Sequence, residues 1–459
     1  MGGFSAVLGN PPFVVYKRLK STIGTISREF IQNTLSDGEK GLVDLSVYFL
    51  LKFESIVDRN GNFSIVTTNS VKQGDNRSAG LLKFVTNGIV IYDAKTDVPW
   101  GHGAQVVVDC ISFTTGKKYA FTLNGEKVEG INEFLSVPGQ VVGTPNPIPE
   151  NVEMSNVGSY LLGTGFILEK KEAEGIIESD AKYARVIKPY IGGKDINNTI
   201  NQHGTRYAID FEDMSIDEIQ RFPIAYEIVR ERVLPFRLRK NPDSSFILSA
   251  KLREKWWIYA NPRRKMYDKI NDFERVLAIA QVSKTMQVAF VSTNHVLDQK
   301  LIVFASDKYS DFAFLSSSFH IIWAMKYSSR MRNDLTYSPK QVFHTLPIPT
   351  ASPQLDNLGM KLDLARSEYM IKHNIGLTEL YSKIGDESDD CDEIQNIRDL
   401  HVKIDKEVLF CYNFDDVNLE HEFRMTSQGK RYIVSTKSEK QLLDKLLALN
   451  FKVTRTGGA

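Results

Sequence analysis

Strands and helices alternate along the first third of the sequence, and this alternation restricts the fold more than any other feature. Apolar, β-branched runs occur at 4–10, 62–71 and 104–116, and helical spacing of apolar residues occurs at 41–57. Residues 81–98 read as a short helix followed by a further strand. Strand–helix–strand order at this spacing predicts a parallel, doubly wound α/β sheet with buried strands and helices on its faces.

Length and composition set the broad class. The chain has 459 residues, a net charge of +1 and 42% hydrophobic residues, which fits a globular protein of about two to four domains. No apolar run approaches the ~20 residues of a membrane span, and the first residues lack a signal-peptide pattern. The three scattered cysteines, without CxxC or HExxH motifs, predict a cytoplasmic protein without a metal site or a membrane partner.

Proline spacing and a change of pattern divide the chain into three predicted domains. Pro138, Pro145, Pro147 and Pro149 mark a linker. A mixed α+β region follows, with a capping box at Ser215 and Glu218, strands near 275–305 and one helix over 310–329 capped by Ser310. From Pro353 onward the pattern is mainly helical. The predicted boundaries are 1–145, 146–352 and 353–459.

The Asn-Pro-Pro-Phe sequence at 10–13 follows the first strand and is the main candidate for chemistry. Neither proline can continue a strand ladder, so a stiff turn is expected at the strand tip. The Asn10 side-chain carbonyl and the backbone carbonyl near Pro11 offer two acceptors for an NH₂ group, while Phe13 offers a ring for stacking. Two acceptors localise the nitrogen lone pair and make the amine a better nucleophile. The alternative is a simple turn that precedes a helix.

These residues resemble a known family. LGNPPF (8–13) looks like motif IV of amino-group S-adenosylmethionine-dependent methyltransferases. GNFSIVTTNSVKQGD (61–75) and GAQVVVDCISF (103–113) resemble later strands of the MmeI-like (type IIL) restriction–modification proteins. The similarity continues through that family's target recognition domain, at VIKPYIGGKDIN (186–197), RVLAIAQVSKT (275–285) and FHTLPIP (343–349), and its C-terminal helical segment, at IRDLHVKIDKEVLFCYNF (397–414).

The resemblance implies a fold and an activity. The fold would be a partial class I S-adenosylmethionine-dependent methyltransferase sheet whose first strands are absent, followed by an α+β target recognition domain and a mainly helical C-terminal segment. The activity would be methyl transfer from S-adenosylmethionine to N6 of an adenine flipped out of double-stranded DNA, within a restriction–modification system. Asn10, Pro11 and Pro12 would hold the amino group, and Phe13 would stack on the base.

One part of the family pattern is missing from this sequence. The glycine-rich loop that holds the cofactor belongs before the NPPF strand, where only nine residues stand. LLGTGFIL (161–168) precedes an apolar run and reads as a tight turn instead. We therefore expect an exposed apolar edge at the first strand, poor solubility, and little cofactor binding by this chain alone. A gene fragment, an internal start or a separate subunit would each explain the pattern.

Candidate DNA contacts lie in the second region. Basic residues outnumber acids between Arg230 and Lys269, with Trp256 and Trp257 among them; the alternatives are phosphate contact and a solvated helix face. The predicted DNA-binding residues are Arg263, Arg264, Ser283, Lys284, Arg330, Arg332, Asn333, Tyr337 and Lys340. A surface strand end is the alternative for Ser283 and Lys284. The two tryptophans and His320 are expected to be packed in the core.

Two other functions stay open at this point. NPP-aromatic turns also occur in glutamine-N5 methyltransferases that act on release factors, although those chains end soon after the catalytic sheet. A non-catalytic DNA-binding remnant would keep recognition without chemistry.

Overall fold

The computed structural model describes residues 3–35, 43–100, 107–116, 120–137, 143–331, 334–426 and 428–456. The chain forms two compact units, 1–144 and 145–459. The boundary falls within the predicted proline linker, of which Pro138 lies outside the described residues. The second unit contains both the predicted recognition region and the predicted helical segment.

The first unit is built on a six-stranded sheet in the order β1-β2-β4-β3-β5-β6. Its strands are β1 (Phe4–Gly9), β2 (Val57–Thr68), β3 (Val90–Pro99), β4 (Val107–Thr114), β5 (Phe121–Leu123) and β6 (Glu126–Val128). Its α-helices are α1 (Tyr16–Ile23), α2 (Thr25–Leu35), α3 (Leu45–Ile56), α4 (Gly74–Arg77) and α5 (Lys83–Thr86), with a 3₁₀ turn at Asn69–Lys72 and a π-helical turn at Ser78–Leu82. The predicted α/β architecture is confirmed.

The prediction of a parallel sheet is wrong for its centre. β1 and β2 are parallel, but β4 lies antiparallel between β2 and β3. The connection between β3 and β4, residues 100–106, is shorter than the dozen or more residues that a parallel crossover requires. β4 therefore returns beside β3 as an antiparallel neighbour.

Three phenylalanine rings form the centre of this sheet's core. Phe63 of β2 lies opposite Phe113 of β4, and the two rings stack with centroids 4.7 Å apart. Phe84 of α5 meets both rings edge-on at 5.6 Å. All three are buried. Aromatic pairs in such geometries stabilise a core beyond their buried area, so the contact fixes α5 against the sheet.

β1 lies at the edge of the sheet and is largely exposed, which corrects the prediction of a buried strand and confirms the predicted exposed edge. Phe4 is 63% exposed and Leu8 is 78% exposed. Within the described residues β1 pairs only with β2. An edge strand with apolar side chains and unpaired backbone groups is a template for association with other chains.

Two four-stranded sheets, in the orders β13-β9-β10-β8 and β12-β11-β14-β7, form the β part of the second unit. The strands are β7 (Ser155–Val157), β8 (Ile167–Glu169), β9 (Ile187–Ile191), β10 (Arg206–Ile209), β11 (Arg275–Ala280), β12 (Ala289–Ser292), β13 (Val296–Leu297), β14 (Leu301–Phe304), β15 (Ser329–Met331), β16 (Asp334–Thr336), β17 (His421–Thr426) and β18 (Gly429–Val434). The last four form two hairpins, β15-β16 and β17-β18.

Helices cover these sheets and make up most of the C-terminal segment. They are α6 (Pro149–Met154), α7 (Lys170–Ser179), α8 (Gly193–Asn198), α9 (Ile216–Ile219), α10 (Pro223–Arg232), α11 (Leu234–Arg237), α12 (Ala250–Glu254), α13 (Arg264–Ile270), α14 (Tyr309–Ser316), α15 (Ser318–Tyr327), α16 (Pro353–His373), α17 (Leu377–Ile384), α18 (Asp392–Cys411) and α19 (Thr436–Thr456), with 3₁₀ turns at Ala181–Arg185 and Phe343–Thr345. No described helix has both the length and the apolar character needed to cross a membrane.

The predicted single helix over 310–329 is two helices. The break occurs at Ser317, because Asp405 of α18 accepts hydrogen bonds from the Ser318 amide (2.7 Å) and hydroxyl (2.5 Å), and so satisfies the start of α15. The predicted cap by Ser310 is also wrong: α14 begins after Lys308, and the Ser310 amide donates to Asp356. The predicted capping box is confirmed, since Ser215 and Glu218 bond reciprocally at the start of α9.

The C-terminal segment is tied to the recognition region by buried arginines. Arg366 of α16 donates to the Val288 carbonyl at 2.9 Å, and Arg431 of β18 donates to the carbonyls of Lys284 and Thr285. Both guanidinium groups are less than 10% exposed. Sequence patterning predicts that these elements are helices or strands, but not which remote carbonyls their charged side chains meet.

Candidate active site and nucleic-acid interface

The Asn-Pro-Pro-Phe turn joins β1 to α1, and backbone hydrogen bonds at its C-terminal end hold it in place. The Val14 amide donates to the Pro12 carbonyl at 2.9 Å, which closes a tight turn. The Leu45 amide donates to the Val14 carbonyl at 3.0 Å. The turn is therefore attached to the start of α3, and its conformation does not depend on the two prolines alone.

Asp44 anchors the segment that follows the turn. Its carboxylate accepts hydrogen bonds from the Tyr16 amide (2.8 Å), the Ser70 hydroxyl (2.8 Å) and the Asn76 side chain (3.0 Å). The Asp44 amide donates to Asn76 Oδ1 at 2.7 Å. Asp44 is buried, and these donors satisfy both of its oxygens. Our sequence analysis missed this residue, although an aspartate directly before a helical pattern is a recognised capping signal.

The four residues of the turn differ in exposure, and one of them contacts a second aromatic ring. Asn10 and Pro12 are exposed, Pro11 is buried and Phe13 is half-buried. The Phe13 ring meets the Trp100 ring edge-on, with centroids 6.4 Å apart and planes at 74°. Trp100 is 38% exposed. The turn thus carries an exposed amide side chain and a half-buried ring that contacts Trp100, a residue that the sequence analysis did not select.

Strand register explains why these parts meet. Gly9 of β1 pairs with Ile65 near the end of β2, and Thr68 pairs with Val108 at the start of β4. Pro99 at the end of β3 pairs with Val107. The turn, the end of β2 and Trp100 therefore lie along one edge of the sheet. Ligands of open α/β sheets bind outside the carboxyl ends of strands, at this kind of edge.

A lysine and two aspartates form ion pairs that stabilise the same edge of the sheet. Lys72 Nζ lies 3.2 Å from Asp109 Oδ2 and 3.3 Å from Asp97 Oδ2. The Asp97 amide donates to Asp109 Oδ1 at 2.8 Å. Burial raises the pKa of Asp109, and the positive charge of Lys72 opposes that increase. Lys72 therefore links the 3₁₀ turn after β2 to Asp109 of β4 and to Asp97 near the end of β3. Trp100 directly follows β3, so these ion pairs help to position it.

The glycine pair at 163 and 165 serves the second unit. Leu162 and Gly163 have positive φ angles of 61° and 106°. A Cβ atom at Gly165 would lie 2.8 Å from the Arg232 carbonyl, so glycine is required by a close approach to α10. The pair precedes β8 instead of following a strand and opening a helix, which confirms its interpretation as a turn.

Two predicted DNA contacts require correction. Tyr337 is 0% exposed, and its hydroxyl lies 2.9 Å from His320 Nε2 inside the core. Ser283 is 5% exposed, and its hydroxyl accepts hydrogen bonds from the amides of Thr285 and Met286. Neither side chain reaches the surface that a DNA contact needs. As predicted, Trp256, Trp257 and His320 are packed in the core.

The remaining predicted contacts occupy different settings. Lys284 and Lys340 are exposed. Arg263 is half-buried with a φ of 56°, and Arg264 pairs with Asp210 (3.4 Å) and Asp213 (3.2 Å) at the rim of a hollow of about 450 Å³. The backbone of Arg330 belongs to β15, while Arg332 and Asn333 lie outside the described residues.

Comparison with known families finds two matches along the chain. Residues 140–350 match the MmeI target recognition domain, and residues 1–91 match the Eco57I restriction-modification methylase family. The chain is therefore similar to restriction–modification proteins, with a match to a methylase before a match to a target recognition domain. This confirms the resemblance to MmeI-like proteins.

Two relatives make the comparison more specific. DNA methyltransferase A of Bacillus subtilis (strain 168) is 22% identical over 367 residues, which are 76% of this chain and 40% of that protein. The solved structure of the type IIL restriction-modification enzyme MmeI in complex with DNA superposes with a TM-score of 0.69 at 20% identity, over 98% of this chain and 57% of the enzyme. The chain thus spans about half the length of the proteins it matches, and shares MmeI's fold over nearly its whole extent.

Proposed function

We propose that this chain is part of an adenine-N6 DNA methyltransferase of a restriction–modification system, with S-adenosylmethionine as methyl donor and double-stranded DNA as partner. The observation that carries the proposal is the exposed Asn10 on a proline-stiffened turn beside the Phe13 ring. The match of residues 140–350 to a target recognition domain supports DNA as the partner.

The turn is suited to hold a planar amine. The Asn10 side-chain carbonyl and the Pro11 backbone carbonyl accept hydrogen bonds from the two N–H groups, and the Phe13 ring stacks on the heterocycle. These hydrogen bonds favour a nitrogen whose lone pair is not delocalised into the ring, which raises its nucleophilicity without a charged base. The adenine amino group reaches this turn only after the base leaves the duplex.

S-adenosylmethionine would supply the methyl group. Within the described residues β1 pairs with β2, and the side chains assigned here are those that would meet the amine. What this chain's residues supply is the orientation of the amine and the wall against which the base stacks.

The test measures duplex binding on filters and tritium transfer from S-adenosylmethionine at saturating concentration. It compares the wild type with Asn10→Ala and with Asn60→Ala, which changes an exposed asparagine at the start of β2. We expect the wild type and Asn60→Ala to form N6-methyladenine in DNA. We expect Asn10→Ala to lose this product but still to bind the duplex.

Other outcomes separate the alternatives. Duplex binding without transfer, unchanged by Asn10→Ala, would favour a DNA-binding module without chemistry. Tritium transferred to a glutamine of a protein substrate would favour the glutamine-N5 alternative. Absence of duplex binding would contradict the proposed partner.

A further inference from the structure

The structure sorts the basic stretch between Arg230 and Lys269 into paired and unpaired cations. Several are occupied inside the protein. The ion pairs are Arg230 with Glu227, Arg232 with Glu172, Arg264 with Asp210 and Asp213, and Lys269 with Glu153. Arg237 is fully buried and donates to the Leu161 carbonyl at 3.0 Å. These residues have partners other than an external anion.

The unpaired cations concentrate in residues 238–255, which we call the cationic loop. It contains the five cations Arg239, Lys240, Lys251, Arg253 and Lys255, and the two carboxylates Asp243 and Glu254. None of the five cations forms an ion pair with any described residue of the chain. The Asp243 carboxylate is occupied locally, because it accepts from the Ser245 amide (2.9 Å) and hydroxyl (2.5 Å). A net positive charge therefore faces solvent.

The cationic loop has a defined conformation. The Ile247 amide donates to the Arg239 carbonyl at 3.1 Å, and the Asn241 amide donates to the Ser245 carbonyl at 2.8 Å. These bonds close residues 239–247 of the cationic loop into a hairpin-like turn that precedes α12. Nearly all of its residues are exposed, so the loop projects its side chains into solvent.

Aromatic rings and carbonyls hold three of the cations in place. The Arg253 guanidinium lies 3.8 Å from the Phe246 ring centroid, and Lys240 Nζ lies 4.9 Å from the same centroid. Arg239 lies 3.7 Å from the Phe236 centroid and donates to the Phe236 carbonyl at 3.1 Å. Cations held by such contacts lose less side-chain freedom when they bind an anion. The loop is thus preorganised for an anionic partner.

We propose that the cationic loop contacts the phosphate backbone of double-stranded DNA, independently of base sequence. The inference rests on the proposed function. It assigns the phosphate contact, which the sequence left as one of two alternatives for the stretch between Arg230 and Lys269, to the residues of the cationic loop. Guanidinium and ammonium groups neutralise phosphates and release counterions, which makes duplex affinity depend on salt with a slope of about −0.9 per phosphate. The target recognition match of residues 140–350 favours DNA over an anionic membrane as the source of phosphate.

The test is the salt dependence of duplex affinity, measured by fluorescence anisotropy with a random-sequence 30-base-pair duplex and the full chain. The triple variant Arg239→Gln/Lys240→Gln/Arg253→Gln is expected to reduce the slope of log K against log salt by up to about 2.7, or about 0.9 for each contact. The double variant Lys251→Gln/Lys255→Gln leaves Phe246 and its cations intact, and is expected to reduce the slope by up to about 1.8.

The matched control removes three lysines that form exposed ion pairs elsewhere in the same unit, at 170, 182 and 372. This Lys170→Gln/Lys182→Gln/Lys372→Gln variant has the same change in net charge as the triple loop variant and is expected to keep the wild-type slope. Equal slopes in the loop variants and the control would overturn the inference while leaving the proposed function intact. Absence of duplex binding by the wild type would overturn both. Loop-dependent binding to phosphatidylserine vesicles with no loop effect on duplex binding would assign the loop to a membrane and overturn the inference.

Discussion

Gly9 lies so close to the ring of Phe53 that a Cβ atom at position 9 would stand 2.3 Å from Phe53 Cζ. Gly9 is the last residue of β1, and Phe53 lies on α3, the helix whose first amide bonds to Val14. The absence of a side chain at position 9 lets α3 approach the strand tip. This contact is part of what determines where the Asn-Pro-Pro-Phe turn stands.

The contact between Gly9 and Phe53 predicts that a substitution at position 9 destabilises the protein and that a second substitution at Phe53 reduces this loss. Gly9→Ala forces the Phe53 ring to move, and we expect a decrease of about 1 kcal/mol in the free energy of unfolding, measured by urea denaturation. Phe53→Ala removes the clash, so the double variant should lose less stability than the sum of the losses in the two single variants. Additive effects of the two substitutions would contradict the proposed contact.

The exposed edge of β1 predicts self-association. Replacement of Leu8, which is 78% exposed, by lysine places a charge on the edge strand and should lower the apparent mass at high protein concentration in light scattering. Leu364→Lys on α16 is the control, because Leu364 is 58% exposed but lies on a helix. If both variants lower association equally, the edge is not its cause.

His320 predicts a dependence of stability on pH. Its Nδ1 lies 2.6 Å from the Leu315 carbonyl, and burial lowers its pKa from 6.5 to about 4. Between these values the unfolded chain binds a proton that the folded chain does not. Stability is therefore highest above pH 6.5 and falls as pH decreases toward 4, by about 1.4 kcal/mol per pH unit for one such group.

Urea denaturation between pH 7 and 5 measures this slope. Desolvation also lowers the pKa of the half-buried His401 to about 4, so this residue contributes in the same direction. The double variant His320→Leu/Tyr337→Phe removes the His320 contribution without leaving the Tyr337 hydroxyl unpaired, and should flatten the slope. An unchanged slope would show that His320 titrates normally in the folded protein.

Arg431 is predicted to stabilise the segment that presents Lys284. Arg431→Met leaves the buried carbonyls of Lys284 and Thr285 without their charged donor, and the free energy of unfolding should fall by about 2–3 kcal/mol. Arg221→Met, at an exposed position, should change it by less than about 0.5 kcal/mol. Equal effects would contradict a bracing role for Arg431.

Several features could be predicted from local sequence because their causes are local. The β-branched runs at 62–71 and near 275 predicted the strands that are observed at 57–68 and 275–280, and the Ser215–Glu218 pair predicted a helix start. Trp257 lies in the core, as expected. The Asn-Pro-Pro-Phe turn is likewise local, because the two prolines restrict its own backbone.

The predictions from sequence were wrong mainly where contacts with residues elsewhere in the chain determine the structure. A one-helix pattern over 310–329 is broken by Asp405, and Tyr337 is withdrawn from the surface by its bond to His320. Neither partner is close in sequence. The antiparallel position of β4 has a different cause: its connection to β3 is too short for a parallel crossover, which the periodicity of the strands does not encode.

By itself the sequence determined the types of element, the stiff turn at residues 10–13 and the excess of basic residues between 230 and 269. Only the tertiary structure decided that Trp100 meets Phe13, that Asp44 anchors the turn, and which cations remain free for an external phosphate. The physical reason is that propensity and charge belong to single residues, whereas burial, pairing and the neutralisation of charge depend on contacts between residues far apart in the chain.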